Sequence, residues 1–339
     1  MYANLVFKGG GVKGVAYAGA LKVLERRGLL QGVRRVAGAS SGAMAAAFLA
    51  LGASPADMAD IVLRTPFRRF MDSSGWVGGD IRRLLTEYGW FKGDMLSRWV
   101  RSNVQALTGS SQLTFSELRA LAAGEPARFR ELTVVGANLT LQASELFDAD
   151  ATPDMPVWEA VRISMGIPLF FRAMRARSGD LLVDGSVTWN YPVTLFDQWR
   201  YVNGGQPRPP VAADGLPAAE GGGVPGEVFN TRTLGFMVET RDAVQARKEM
   251  RSAAGIDGFG AYLRSIIGFM TDVSCSSFLT EADWNRTVFI EALGVRTTDF
   301  AISRDMIARL VDSGEQGAEL YFSKKQSAGT AAPCSGGCD

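Results

Sequence analysis

Arg34-Arg35-Val36-Ala37-Gly38-Ala39-Ser40-Ser41-Gly42-Ala43-Met44-Ala45 is the stretch on which the fold turns. Arg34 to Gly38 reads as a short strand, and from Ala43 onward small apolar residues continue as a helix that ends near Gly52. Between them, Gly38-Ala39-Ser40-Ser41-Gly42 matches G-x-S-x-G with the context that pattern requires, a strand before and a helix after. A residue at the tip of such a bend sits on strained backbone, and flanking glycines remove the clashes that a Cβ would make. The bend lifts the serine hydroxyl above the sheet, and the helix start beneath it offers free N–H groups and positive partial charge. Ser40 is therefore the candidate nucleophile, with Gly38 and Gly42 as the glycines of the elbow. The whole stretch from Val36 to Ala56 is uncharged for 21 residues, close to the length of a membrane span. Its Ala, Gly and Ser content and Pro55 instead fit a buried strand, turn and helix.

Upstream, Asn4 to Phe7 is a second apolar strand, followed by Gly9-Gly10-Gly11-Val12-Lys13-Gly14 and a helix from about Val12 to Arg27. On that helix Val15, Ala18, Leu21 and Leu24 recur at three-residue spacing, which gives one apolar face, and Gly28 is its stop. Strand, helix, strand, helix at this pitch predicts parallel strands in an α/β sheet. The glycine run also fits G-x-G-x-x-G, so a dinucleotide-binding loop is a rival reading. That reading needs a carboxylate at the end of the second strand, and no Asp or Glu stands between Glu25 and Asp57. A P-loop is poorer still, because the Lys-Ser/Thr ending is absent. Glycine N–H groups at Gly9, Gly10, Gly11 and Gly14 are better read as an oxyanion hole, where bare amides can face the charge developing on an ester oxygen. Lys13 either adds positive potential there or is a solvated lysine on the first helical turn.

The chain has no histidine among its 339 residues, so no imidazole of its own can activate a serine. A serine hydroxyl is a weak nucleophile and needs a base within hydrogen-bond reach. Asp184-Gly185 follows the apolar strand Leu181-Leu182-Val183. A strand-end Asp-Gly is often only a turn. Among the carboxylates, though, Asp184 has the best position for a partly desolvated base, since desolvation raises an Asp pKa and makes it a better proton acceptor.

Elsewhere the pattern is that of one α/β unit. Ser54-Pro55-Ala56-Asp57 is a helix start and Thr114-Phe115-Ser116-Glu117 a capping box. Asp60 to Gly109 reads as mostly helical and arginine-rich. Strands are expected at Leu132–Asn138, Glu145–Phe147, Thr233–Val238 and Val288–Glu291. Helices are expected from Pro156 to Met165, in a long region ending near Glu281, and from Ser303 to Tyr321. Residues 204–226, rich in Gly, Pro and Ala, read as an inserted loop, and the last dozen residues as disordered tail. Net charge is +1, so composition gives no reason to expect nucleic acid. Cys275, Cys334 and Cys338 make no disulfide framework and fit a reducing compartment. Met1 to Phe7 has no signal-peptide pattern. Arg64, Arg68 and Arg69 with Phe67 and Phe70 can meet anionic headgroups or form an ordinary solvated face. Residues 256–279 read as a core, lid or interfacial helix. Trp76, Trp90 and Trp99 read as core packing, with an acyl-chain pocket as the alternative.

The three motifs, Gly9–Gly14, Gly38–Gly42 and Asp184-Gly185-Ser186, stand in the order that resembles the patatin-like phospholipase family. Ser164-Met165-Gly166-Ile167-Pro168-Leu169-Phe170-Phe171 and Asn190-Tyr191-Pro192-Val193 look like the segments that flank the family's aspartate. The resemblance implies a patatin-like three-layer α/β/α sandwich with a mostly parallel central sheet and a nucleophile elbow. It places one domain over residues 3–322, with core motifs in 5–200, a C-terminal extension in 233–322 and a tail in 323–339. It implies hydrolysis of fatty acyl esters of phospholipids by a Ser40–Asp184 dyad through an acyl-enzyme, without metal or cofactor. Lys13 and Gly185 are supporting residues, and Ser186 departs from the family's usual Gly or Ala. Phospholipid substrate, peripheral membrane contact, a cytoplasmic or effector setting and an unidentified activator go with the resemblance; a nucleic-acid partner is not required. Acyl transfer on the same fold and nucleotide binding by the glycine loop are the alternatives.

Overall fold

The computed structural model describes residues 1–202, 228–239 and 279–330, with Gly258, Ser265, Ile266, Gly268 and Phe269 besides. The loop expected at 204–226, most of the helix expected at 256–279 and the chain end from 331 lie outside the described residues.

A central sheet is built from β1 (Asn4–Phe7), β2 (Arg35–Ala39), β4 (Glu131–Asn138), β5 (Ala143–Phe147), β7 (Met174–Arg175), β8 (Leu181–Asp184), β9 (Thr233–Met237) and β10 (Thr287–Phe289). Its order is β10-β9-β1-β2-β4-β8-β7, with β5 also paired to β4. The run from β10 to β4 is parallel, while β8 and β5 run antiparallel to β4. Alternation along the strands makes two cores. Leu5, Phe7, Val36 and Phe236 face the larger one, and Val6, Ala37 and Met237 face the smaller. The larger core is covered by the helices α1 (Tyr17–Arg26), α2 (Ser41–Ala50), α3 (Pro55–Arg64), α5 (Asp94–Thr108), α7 (Val157–Ser164) and α11 (Arg304–Thr330). The smaller is closed by Tyr191, Val193, Leu195 and Phe196 and by Trp284 of α10 (Glu281–Asn285). The result is an α/β/α sandwich around a mostly parallel sheet, the fold class that the sequence predicts.

Several local signals match their elements. Ser54 caps α3 in a reciprocal box with Asp57, and Thr114 does the same with Glu117 at α6 (Phe115–Gly124). Three strands escaped sequence reading because they are two or three residues long: β3 (Gly89–Phe91), β6 (Leu169–Phe171) and β7. β3 and β6 form a separate parallel pair that ties the arginine-rich segment, with its helix α4 (Val77–Glu87), to the region ahead of Asp184. The expected helix from Val12 divides into a tight turn, Gly11–Ala16, followed by α1. The last helix runs through Thr330, so the tail expected from 323 begins as helix. Among the described residues no helix is long and apolar enough to cross a membrane, and the uncharged stretch at 36–56 divides between β2, the elbow and α2.

A buried ion cluster anchors the β9–β10 edge. The Arg286 guanidinium donates to both carboxylate oxygens of Asp197 and to Asp283, and all three residues are buried. Helices α1 and α11 pack backbone to backbone. A Cβ at Gly314 would lie 1.9 Å from the Ala16 carbonyl oxygen, and one at Gly19 would lie 1.8 Å from that of Val311. This seam fixes the C-terminal helix against the glycine-rich turn of the first motif. Gly314→Leu should therefore lower stability by about 2 kcal/mol or more through forced helix separation. Chemical denaturation of the two proteins checks this.

Candidate active site

Parallel pairing of β1 with β2 puts Phe7 beside Gly38, so the glycine loop and the elbow emerge side by side at the C-terminal edge of the sheet. Ser40 occupies the tip of the elbow at φ 54° and ψ −127°, outside the regions a serine normally adopts. Tight packing holds it there. A Cβ at Gly38 would sit 2.4 Å from the backbone of Gly42, and a Cβ at Gly42 would sit 2.2 Å from the Phe7 carbonyl oxygen. Only glycine at both positions lets β1, β2 and α2 approach this closely.

Asp184 arrives by the antiparallel pairing of β8 with β4, where it stands opposite Gly136. Its Oδ2 accepts a hydrogen bond from Ser40 Oγ at 2.8 Å, between residues 144 apart in the chain. Its Oδ1 accepts from the Ser186 N–H at 2.8 Å, so Ser186 contributes a contact to the site. Gly185 has no room for a side chain, since a Cβ would lie 2.1 Å from the Val135 carbonyl oxygen. Asp184 is wholly buried, and this desolvation pushes its pKa from 3.8 up to about 6. Hydrogen bonds from Ser186 and Ser40 pull the other way and only partly offset it.

In the sequence Ser164 stands only as part of a segment that resembles the family's, yet it is wired into the elbow. Its buried hydroxyl accepts from the Ser40 N–H at 2.9 Å and donates to the Val135 carbonyl of β4. Two residues on, the Gly166 carbonyl accepts from the Asp184 N–H at 3.0 Å. The turn that ends α7 thus holds both members of the Ser40–Asp184 pair. A Ser two residues before a glycine at a helix end carries no signal for this in the sequence.

The glycine loop divides its labour. The Gly9 N–H donates to the Asn190 carbonyl at 3.0 Å, and a Cβ on Gly9 would lie 2.3 Å from the Asn190 side-chain oxygen. Gly14 sits against Ser41, with 2.6 Å left for a Cβ. The Gly9 amide is thus taken by Asn190, which corrects the expectation that it faces a substrate oxygen, and both glycines are positions where a side chain has no room. The Gly10 N–H donates to Ser41 Oγ at 3.0 Å. Gly11 has φ +58°, and among the described residues its N–H meets no acceptor. Lys13 is not the solvated lysine of the simpler reading. It is buried within 3.9 Å of Glu239, which also pairs with buried Lys8 at 3.3 Å.

Two pockets meet at Ser40. One is polar, bordered by Lys8, Lys13, Asp184, Asn190 and Glu239. The other is apolar, bordered by Val15, Met44, Phe67, Phe70, Leu96 and Phe171. Gly11 and Ile167 border both. Phe67 and Phe70 therefore point inward, while Arg64, Arg68 and Arg69 are exposed. Of Trp76, Trp90 and Trp99, the last packs on Phe48 and Phe70 behind the apolar pocket, whereas Trp76 is 67% exposed and belongs to no core. Among the described residues no group of three or more His, Cys, Asp or Glu is placed to hold a metal ion.

Comparisons with known proteins agree with this architecture. The uncharacterised protein YqhO of Bacillus subtilis (strain 168) is 26% identical over 337 residues, covering 95% of this chain and 98% of that protein. Probable lipid hydrolase 463L of Invertebrate iridescent virus 6 is 24% identical over 198 residues, 57% of this chain and 63% of that protein. The crystal structure of VipD from Legionella pneumophila superposes with a TM-score of 0.54 at 17% identity, covering 95% of this chain and 67% of that one. ExoU in its complex with SpcU from Pseudomonas aeruginosa superposes with a TM-score of 0.50 at 19% identity, with 96% of this chain covering 52% of that one. The patatin-like phospholipase family model matches residues 5–197, a span that holds the glycine loop, the elbow and Asp184. The chain belongs to the patatin-like phospholipase family.

Proposed function

We propose that the protein is a lipid acyl hydrolase that cleaves fatty acyl esters of glycerophospholipids with Ser40 as nucleophile and Asp184 as general base. The observation that carries this reading is the 2.8 Å hydrogen bond from Ser40 Oγ to a fully buried carboxylate, at the meeting point of an apolar and a polar pocket. The apolar pocket suits the acyl chain, and the polar one suits the ester and glycerol side of the substrate. Family membership and the likeness to 463L support lipid ester chemistry.

Asp184 takes the Ser40 proton as Oγ attacks the acyl carbonyl carbon. The tetrahedral intermediate collapses, the lyso-lipid alkoxide leaves with the proton from Asp184, and the acyl group stays on Ser40. Water then enters, gives a proton to Asp184 and attacks the acyl-enzyme; fatty acid leaves and Ser40 regains its proton. Burial serves this chemistry, because a carboxylate of ordinary pKa is too weak a base to share a proton with a hydroxyl. Charge on the carbonyl oxygen is met by the Gly11 N–H. The Gly10 N–H joins it when the Ser41 hydroxyl turns aside, and buried Lys13 adds positive potential.

Ser40→Ala and Asp184→Asn should each lower fatty acid release from phospholipid by roughly a thousandfold or more while the protein stays folded. Mass spectrometry of a mixed phospholipid extract checks this, and a fluorophosphonate should label Ser40 alone. Residual turnover within tenfold of wild type in either variant would overturn the assignment.

The pH dependence follows from the raised pKa of Asp184. Its base form dominates above pH about 6, so kcat/KM should rise through that value and then level off, with no histidine limb. Stability moves the opposite way. The folded state favours the neutral acid, so the stabilisation is complete below the unfolded value of 3.8 and is lost as pH rises through about 6. Asp184→Asn should thus raise the melting temperature at pH 8, by on the order of 2–3 kcal/mol of stability. That gain should vanish near pH 4. Calorimetry of both proteins across this range measures it.

A further inference from the structure

Helix α4 is built inside out. Among the described residues eleven large apolar side chains are exposed, and Trp76, Val77, Ile81, Leu85 and Tyr88 account for five of them. Val77, Ile81 and Leu85 follow at spacings of four residues, so they share one face of the helix, and Tyr88 is its exposed C-cap. Leu85 is 72% exposed and Trp76 is 67% exposed. Two charged residues of the helix go the other way, while Arg82 and Glu87 stay exposed. Asp80 and Arg83 are buried as an ion pair at 3.1 Å, Asp80 accepts the Ser74 N–H at 2.7 Å, and Arg83 donates to the Trp90 carbonyl and the Ser74 hydroxyl. The hydrophobic effect alone would turn Ile81 and Leu85 inward and leave the ions in water.

Trp76 is placed as deliberately. Its ring lies against the first turn of α4, where a Cβ at Gly78 would come within 2.0 Å of the indole and one at Gly79 within 2.9 Å of its nitrogen. Two glycines in a helix weaken it, and here they make a seat for an indole that stays in solvent. The unpaired charge around the stripe has one sign. Arg68, Arg69 and Arg82 are exposed and make no ion pair among the described residues. The nearby acids are occupied: Asp72 accepts the Gly93 and Met95 N–H groups, and Glu87 pairs with Arg172.

We propose that the Trp76–Tyr88 stripe and its arginine rim are a docking surface for an anionic lipid bilayer. An apolar helical face with an indole anchor and unpaired cations at its edge is what a helix lying in the headgroup region requires. The α4 helix has eleven residues, too short to span a bilayer but long enough to lie in its interface. The surface is joined to the pocket at Ser40. Arg68 and Arg69 stand on the turn Phe67–Phe70, whose two phenylalanines line the apolar pocket, and α4 leads into β3, paired with β6, whose Phe171 lines it too. Docking through this face sets the apolar pocket next to the acyl chains. The purpose of the surface rests on the lipid hydrolase reading, but its binding does not depend on catalysis.

The test uses full-length protein carrying Ser40→Ala, so that hydrolysis does not change the membrane, and vesicles of phosphatidylcholine with or without phosphatidylserine. Flotation should show binding to the phosphatidylserine vesicles. Ile81→Ser with Leu85→Ser should weaken it by about tenfold or more. Arg68→Gln with Arg69→Gln should weaken binding only where phosphatidylserine is present. In the Ser40 background the same surface variants should keep wild-type turnover of a soluble short-chain ester and wild-type melting temperatures. Unchanged vesicle binding by the Ile81/Leu85 variant overturns the proposal. So does size-exclusion chromatography that shows a dimer of wild-type protein split by that variant, since a second copy would then cover the stripe. Vesicle binding without any ester hydrolysis would sink the catalytic reading and leave this one standing; ester hydrolysis without vesicle binding would do the reverse.

Discussion

A carboxylate stripped of water, with a serine hydroxyl as its neighbour, is the constraint around which the rest of the molecule is arranged. Asp184 has no solvent to stabilise its charge, and of the groups around it only Ser186 and Ser40 hold its proton affinity down. Such a group is an expense to the fold, and in the proposed reaction it is a benefit to the chemistry. It is tolerated because the turn at Ser164–Gly166 and strand β4 grip both partners through backbone hydrogen bonds, so neither can move away to find water.

The same logic explains the density of glycine around the site. At Gly9, Gly14, Gly38, Gly42 and Gly185 any side chain would strike backbone or a buried neighbour. These positions let β1, β2, β4 and α2 close around Ser40 without intervening side chains, and the strained backbone of Ser40 follows from that closeness. The Gly10 N–H is taken by the Ser41 hydroxyl, and among the described residues the Gly11 N–H meets no acceptor. The loop is thus mainly a packing device with a small polar opening.

The segment from Arg64 to Lys92 follows a different rule. It contributes Phe67 and Phe70 to the inside of the apolar pocket while it keeps Trp76, Ile81 and Leu85 outside. Its helix α4 buries the Asp80–Arg83 pair instead of its apolar stripe, and the β3 strand that follows is held by pairing with β6. A helix of this kind shows an ordinary amphipathic pattern in the sequence. Which face turns inward depends on partners for Asp80 and Arg83 that lie in Ser74 and Trp90.

The sequence by itself determined the parallel α/β plan and the elbow at Ser40, and it singled out Asp184 as the candidate base. Short apolar runs, a three-residue apolar spacing, cap boxes and a strand–glycine–serine–glycine–helix run are local signals, and the absence of histidine is a matter of composition. The tertiary structure alone decided the 2.8 Å approach of residues 144 apart, the dry surroundings that raise Asp184, the part played by Ser164, the burial of Lys13 beside Glu239 and the outward face of α4. The short strands β3, β6 and β7 belong with these. The physical reason is common to all of them: burial, desolvation and pairing are properties of what surrounds a residue, and those surroundings are brought from distant parts of the chain only when it folds.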